Sequence, residues 1–445
     1  MLKDDVLELI SKKNFVELKK QLAKTNPVDI AEVLQEMDIH SSLIVFRLLS
    51  KDDAVEVFAN IPPEKQLELT KSFTDDEIRE VVNELYLDDM VDMLEEMPAL
   101  VVKKILKNAT EQDRKLINQF LSYPEKSAGS LMTIEYVELK KDMNVNEALQ
   151  VIRDEGIMKE TIYTCYVTDE YKKLIGCVSL RKLVTSKTNA KIQEIMERDI
   201  ISVTTVDDQE KVADIFLKYG FMVLPVVDHE NRMCGIITVD DVMDVMEKEA
   251  TEDFQKMAAI APNEARYLDT PVIMLAKDRI MWLMILMISA TFTGKIMQKY
   301  NTVIQSVIIL NMFIPMIMDS GGNAGSQSST LIIRGLATGE IGTKDWFKVF
   351  WKEFRVSSVV GFALGSVNFL KCILIDKVSL DVGILVSITL MLTIMMAKMV
   401  GGLLPIGAKK MNMDPAIMAG PLITTIVDAM GLLVYFQLAK MLLGI

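Results

Sequence analysis

An aspartate in the middle of an uncharged apolar stretch is the residue in this sequence best placed to bind an ion. Asp428 lies near the centre of Pro415–Ala439. A carboxylate at the centre of a membrane helix costs about 2.5–3.5 kcal/mol on insertion scales. Such a group faces a cavity, an ion path or a partner. No arginine lies in its segment; a pair with Lys398, in the preceding apolar run, would make it a structural ion pair instead. Gly420, Thr424 and Asp428 are spaced by four, so they share one helix face. Small residues there leave backbone carbonyls accessible, and Pro421 and Thr425 lie beside them. The set offers oxygen and nothing softer, which suits Mg²⁺ or Ca²⁺ over Zn²⁺ or Cu⁺.

A second constellation lies about a hundred residues earlier. The run from Pro315 through Asp319, Gly321, Gly322, Asn323 and Gly325 to Gln327 places a carboxylate, two amides and three glycines in an apolar context. Asp319, Asn323 and Gln327 are again four apart and cannot form a lipid-facing surface. The glycines let another helix approach closely. A packing seam would use the glycines alone; the line of carboxylate and amides points to an ion path.

The elements that must hold these residues differ sharply along the 445 residues. Residues 1–270 carry 34 Lys+Arg against 53 Asp+Glu, a net of −19, whereas residues 271–445 carry 15 against 9, a net of +6. The first part is a soluble acidic unit, which repels nucleic acid and attracts cations. The second part divides into five candidate spans. These are Ile280–Gly294, Tyr300–Met318 continued by Ser320–Ile333, Val356–Leu370, Val382–Ala397, and Pro415–Val427 joined to Ala429–Ala439 through Asp428. Several fall short of the roughly 20 residues a span needs, and flanking lysines can snorkel to complete them. Nine basic residues on one side against five on the other predict a cytosolic N-terminus and an outside C-terminus. The chain begins with Lys3, Asp4 and Asp5 rather than an apolar leader.

Residues 1–125 read as short helices. A theme recurs in which an acid (Asp29, Asp53, Asp89) precedes an apolar stripe, and Pro62 and Pro98 end two copies. Residues 126–250 change period. Ile162–Thr168 and Met222–Val227 are β-rich runs, each followed by a polar turn and a second run, Leu174–Ser179 or Met233–Thr238. A helical stretch precedes each hairpin, near Val145–Asp154 and Asp208–Lys218. The unit occurs twice, about 60 residues apart, with Gly176 aligned to Gly235, and it buries its faces best by pairing the two copies. Residues 251–270 follow as a connector, helical until Pro262 and Pro271. Acids crowd around it: Asp241, Asp244, Glu247, Glu249, Glu252 and Asp253.

The run Gly235-Ile-Ile-Thr238-Val-Asp240-Asp241 resembles the end of a CBS domain. That resemblance implies a place for an adenosine nucleotide such as ATP, with Thr238 and Asp240 as its contacts and Asp240 on the ribose. The first copy has Arg181 where the aspartate would stand, so the pair holds at most one such site. The alternative is that Thr238 and Asp240 simply start the following helix.

The whole order resembles the MgtE family of Mg²⁺ transporters. The segment from Pro315 to Gln327, and Asp414-Pro followed by Gly420-Pro421, Thr424-Thr425 and Asp428, carry the likeness. It implies a multidomain fold: an all-α helical-repeat N domain (1–125), an α/β tandem CBS pair (126–250), a connecting plug helix (251–270) and a five-span membrane pore domain (271–445). It implies a homodimer in the lipid bilayer of the cell membrane, with the second and fifth spans lining one pore. Asp428, with carbonyls at Gly420 and Thr424, would hold hydrated Mg²⁺. Cytosolic Mg²⁺ would close the gate through Asp89, Asp92, Asp241, Asp244, Glu249, Glu252, Asp253 and Asp414.

The residues themselves agree with this reading. Mg²⁺ sheds water reluctantly, so a pore that passes it hydrated needs few charges. A sensor needs many carboxylates that repel one another until ions bridge them. Other readings remain: a broader Mn²⁺ or Co²⁺ transporter, a non-transporting Mg²⁺ sensor, or a CBS-regulated anion channel, which the central aspartate opposes. Only His40 and His229 are present, and no cysteine has a CxxC partner, so a zinc site is not expected. With no histidine in the spans and no nucleophile–base pair, no enzyme activity is expected.

Overall fold

The computed structural model describes residues 2–444 except 75, 79–80, 82–84, 86, 96, 99–100, 103–104, 107–108, 264–266 and 269. The chain forms two compact units, Met1–Met246 and Glu247–Ile445.

The first unit opens with short helices, among them Pro27–Gln35, Ile39–Phe46, Lys51–Ala59, Pro63–Ser72 and Leu87–Glu95. Their starts are built from side-chain caps. Asn26 accepts from the Val28 N–H, and Asp38 accepts from those of His40 and Ser41. Each expected acid sits in the first turn of its helix: Asp29, Asp53 and Asp89. Pro62 works differently from expectation. The Lys51–Ala59 helix has already ended, and Pro62 and Pro63 open the next one. Leu18, Ile30, Leu34, Val57, Phe58 and Leu69 form the core.

Two three-stranded sheets follow, ordered β1-β2-β3 and β4-β5-β6. β2 (Thr161–Thr168) and β3 (Leu174–Ser179) make the first hairpin, and β5 (Val223–Val227) and β6 (Met233–Thr238) the second. Each hairpin gains a parallel strand that the sequence reading did not include, β1 (Tyr136–Lys140) and β4 (Val203–Thr204). The copies join at their turns, where the Leu174 N–H donates to the Asn231 carbonyl at 3.0 Å and the Met233 N–H to that of Lys172 at 2.8 Å. Gly235 is required by close approach: a Cβ there would lie 2.4 Å from the Thr133 carbonyl oxygen.

A continuous connector helix runs Val239–Met257, so it begins inside the second repeat rather than after it. It stops ahead of Pro262, at a turn where Ala259 has φ +55°.

In the second unit, four helices are long and apolar enough to cross a membrane among the described residues: Val272–Lys299, Thr343–Leu374, Leu380–Lys410 and Pro415–Leu443. The last begins with a 3-10 turn and becomes α-helical at Gly420. The glycine-rich helix Ile314–Ala337 has 24 residues, enough to cross as well. It does not extend back to Tyr300 as the uncharged run suggested. A short helix, Asn301–Ser306, breaks at Val307 (φ −136°, ψ 82°), and a 3-10 stretch, Ile308–Phe313, leads into Ile314. Pro315 lacks an N–H and suits a helix's first turn. The Tyr435 hydroxyl donates to the Leu310 carbonyl at 2.9 Å, satisfying part of the irregular segment.

Candidate functional site: an ion path and its acidic connector

The 314–337 helix packs between the 380–410 and 420–443 helices because it carries almost no side chain where they meet it. A Cβ at Gly401 would lie 2.2 Å from the Gly325 carbonyl oxygen, so those two backbones touch. A Cβ at Gly322 would lie 2.8 Å from Thr424 Cγ2, and one at Gly321 2.8 Å from both Thr393 Cγ2 and Val427 Cγ1. These contacts bring the two sequence constellations together. Asp319 lies two residues before Gly321 and Asp428 directly follows Val427, which Gly321 meets, so the two carboxylates stand at one level of the bundle. Neither carboxylate is within 4 Å of a cationic side chain among the described residues. In particular, Lys398 does not pair with Asp428. Its ammonium donates to the Gln327 amide oxygen at 3.4 Å.

Asp428, Thr424, Gly420, Pro421 and Thr425 are half-buried. The Thr424 and Thr425 hydroxyls both donate to the Pro421 carbonyl, at 2.8 and 3.0 Å. Those two oxygens are thus engaged locally, at the helix start. Pro315, Asp319, Asn323 and Gln327 are all exposed. Such a polar face, on a helix packed among membrane-length ones, needs water or a partner surface.

The Gly420 end of this bundle meets the end of the connector helix. A Cβ at Gly420 would lie 3.7 Å from the carbonyl oxygen of Met257, the last connector residue. Asp414 caps the turn before Gly420 by accepting from the Ala416 N–H at 2.8 Å. Its other oxygen lies 2.6 Å from the Lys256 ammonium, which also pairs with Glu252. Burial raises the pKa of Asp253, and the charges of Asp414, Glu249 and Glu252 add to the shift. Burial works against the Lys256 ammonium, yet its bonds to Asp414 and Glu252 hold its pKa above the usual lysine value. Gln255 and Asn263 exchange two hydrogen bonds, of 2.9 and 2.7 Å, which close the turn after the connector.

A separate acidic cluster lies within the first unit. Burial, then Asp241 and Asp240, raise Asp89 to about 6. Burial, then Asp240, Asp241, Asp89 and Glu135, raise Glu160 to about 7. The sequence reading named Asp89, Asp240 and Asp241 but missed Glu160 and Glu135. Glu160 sits just ahead of β2, where a lone acid carries no distinguishing pattern. Asp244 is exposed, and the side chain of Asp92 lies outside the described residues. The Thr238 hydroxyl donates to Asp241 at 2.7 Å, so it does start the connector helix; Asp240 beside it is exposed. Among the described residues no three histidine, cysteine or acidic side chains converge as a preformed ion cage.

Comparison with known proteins places the chain's domains in a family. Residues 25–126 match the MgtE intracellular N domain, 128–187 and 192–248 the CBS domain, and 314–438 the divalent cation transporter domain of MgtE. The magnesium transporter MgtE of Thermus thermophilus is 38% identical over 436 residues, covering 96% of this chain and 95% of that protein. The chain belongs to the MgtE family. The Bacillus subtilis magnesium transporter MgtE is 32% identical, covering 93% of this chain and 91% of that protein. A solved cytosolic domain of the Mg²⁺ channel MgtE in complex with ATP is 36% identical, with a TM-score of 0.53; the match covers 55% of this chain and 99% of that one. The crystal structure of the soluble part of a magnesium transporter matches with a TM-score of 0.53 at 28% identity, over 56% of this chain and 98% of that one. A transporter family and membrane-length helices put this MgtE-family chain in a membrane.

Proposed function

We propose that this chain is a Mg²⁺ transporter of the cell membrane that works as a homodimer and is shut by cytosolic Mg²⁺. The observation that carries the reading is that the contacts of Gly321 with Val427 and of Gly322 with Thr424 hold Asp319 and Asp428 at one level of two closely packed helices, with no cation paired to either among the described residues. Two carboxylates per subunit attract a divalent ion without stripping its water, which Mg²⁺ gives up reluctantly. Asp428 with the carbonyls near Gly420 and Thr424 is the central station. Pro315, Asn323, Gln327, Pro421 and Thr425 line the approach. The exposed Asp319–Gln327 row supports a second copy, because one subunit surrounds an ion on one side only. Nine basic residues against five support a cytosolic N-terminus.

The gate follows from the acidic clusters. Mg²⁺ held among Glu249, Glu252, Asp253 and Asp414, and among Asp89, Asp92, Asp241 and Asp244, removes repulsion and favours the closed arrangement. A ligand shifts such an equilibrium only by its differential affinity. The relative solved with ATP supports an ATP site at Thr238 and Asp240, with Asp240 reaching the ribose. Its check is calorimetric ATP binding, lost in Asp240→Asn.

The deciding experiment for transport is Mg²⁺ flux into proteoliposomes. Asp428→Asn is expected to fold, dimerise and pass little Mg²⁺; near-normal flux would refute the assignment. Flux of Mn²⁺ or Co²⁺ equal to that of Mg²⁺ would favour a broader divalent transporter.

A further inference from the structure

Lys398 is only 5% exposed and lies within the 380–410 helix. No carboxylate comes within 4 Å of its ammonium among the described residues, and its polar partner is the Gln327 amide oxygen at 3.4 Å. A buried ammonium with so little compensation is costly in an apolar surround. A role in folding alone would be served at lower cost by an apolar side chain of similar volume.

Its position says what the charge can act on. Ala397, the preceding residue, turns its carbonyl to Gly325, which Ile423 meets with its side chain. Thr393 lies level with Gly321 and Gly431. Lys398 therefore stands about one helical turn from the level of Asp428, on the Thr424 side. Through Gln327 it touches the row that also contains Asp319 and Asn323. The other buried ionisable group nearby, Glu353, is bonded to the Ser328 hydroxyl at 2.6 Å rather than to Lys398.

We propose that Lys398 is a positioning residue of the ion path, whose fixed positive charge, held against Gln327, weakens the grip of Asp428 on a divalent cation. The inference rests on the reading of Asp428 as the ion station. Conduction needs a site attractive enough to fill and weak enough to empty. Carboxylates on two neighbouring helices, doubled by a second subunit, favour filling. A cation one turn away opposes them, and a divalent ion feels that opposition twice as strongly as a monovalent one. Lys398 thereby lowers the occupancy of the Asp428 station and speeds release of the ion from it.

The test is initial Mg²⁺ flux against external Mg²⁺ for the full chain in proteoliposomes. Lys398→Met and Lys398→Gln are compared with Lys398→Arg and Asp428→Asn. Loss of the charge is expected to lower the half-saturating Mg²⁺ concentration by roughly tenfold and to lower maximal flux as well. Lys398→Arg, which keeps the charge, is expected to stay within about twofold of the parent. A structural role would reduce the amount of active protein without moving half-saturation. Unmoved half-saturation in both neutral variants overturns the inference, and so does an arginine variant that behaves like the methionine one. Failure of both neutral variants to assemble would assign Lys398 to folding and overturn it too. If Asp428→Asn abolishes flux while the Lys398 variants match the parent, the path reading stands and this inference falls. Normal flux in Asp428→Asn removes both.

Discussion

The Lys256 ammonium lies 2.6 Å from Oδ2 of Asp414 and ties the end of the connector helix to the turn that precedes Gly420. A lysine thus occupies the acids expected to bind regulatory Mg²⁺. Lys256→Gln would leave Glu249, Glu252, Asp253 and Asp414 with one less positive charge among them. The internal Mg²⁺ concentration that half-inhibits flux is expected to fall about three- to tenfold. The measurement is flux against internal Mg²⁺; an upward shift would mean that the lysine closes the gate by itself.

Neutralising the acids should act in the opposite direction. Glu249→Gln, Glu252→Gln and Asp253→Asn together are expected to keep flux at low internal Mg²⁺ and to raise the half-inhibiting concentration at least tenfold. Protease protection of the cytosolic part against Mg²⁺ gives an independent reading. A triple variant that closes over the parent's Mg²⁺ range would make the connector a solvated linker.

Glu160 gives a prediction about stability. Its pKa of about 7 and that of Asp89 at about 6 lie above ordinary carboxylate values. A carboxyl whose folded pKa is raised stabilises the fold when protonated, and that contribution is lost as pH rises through the folded pKa. In chelator, the packing of the first unit should therefore weaken progressively as pH rises from about 4 and level off above about 7. Glu160→Gln should stabilise it at neutral pH by roughly 1–2 kcal/mol after screening. Thermal unfolding of the full chain with and without Mg²⁺ checks both; a destabilised Gln variant in chelator would contradict the argument.

Helix contact at Gly401 sets the fourth test. A methyl group there must push the Gly325 backbone away, an overpacking cost of about 1–3 kcal/mol. Gly407, on the same helix, has nothing within 4 Å of an added Cβ. Gly407→Ala is expected to be neutral or slightly stabilising. Equal melting temperatures for the two variants would contradict the close crossing.

Local chemistry carried much of this fold into the sequence. The paired β-rich runs, Asp208 at a helix start, and the repeated glycine at 176 and 235 all act over a few residues. Asp428 was legible because a charge within an apolar run stands out from its own neighbours. The 314–337 helix began later than the uncharged run implied because apolarity does not encode phase. Nothing in the composition of Tyr300–Phe313 distinguishes 3-10 turns from α-helix. Strand β4 is two residues long, too short for a period.

Convergence over long separations was not legible. Lys256 and Asp414 are 158 residues apart, and Glu160 meets Asp89 and Asp240 only because separate folding modules stack. Lys398 could be matched to Asp428 by charge alone. Its actual partner, Gln327, follows from which face of the 314–337 helix the glycines bury.

The connector's continuity has a mechanical consequence. Its 19 residues make a rod of about 28 Å whose last residue, Met257, lies beside Gly420. A rod does not absorb rotation along its length. A tilt of roughly 10° displaces one end of such a rod by about 5 Å, the length of one helical turn. In the gate proposed above, a slight tilt of the connector would thus become a shift of about one helical turn beside Gly420. The rod ends just beyond Met257, where the left-handed backbone of Ala259 (φ +55°) breaks it from the helix that follows.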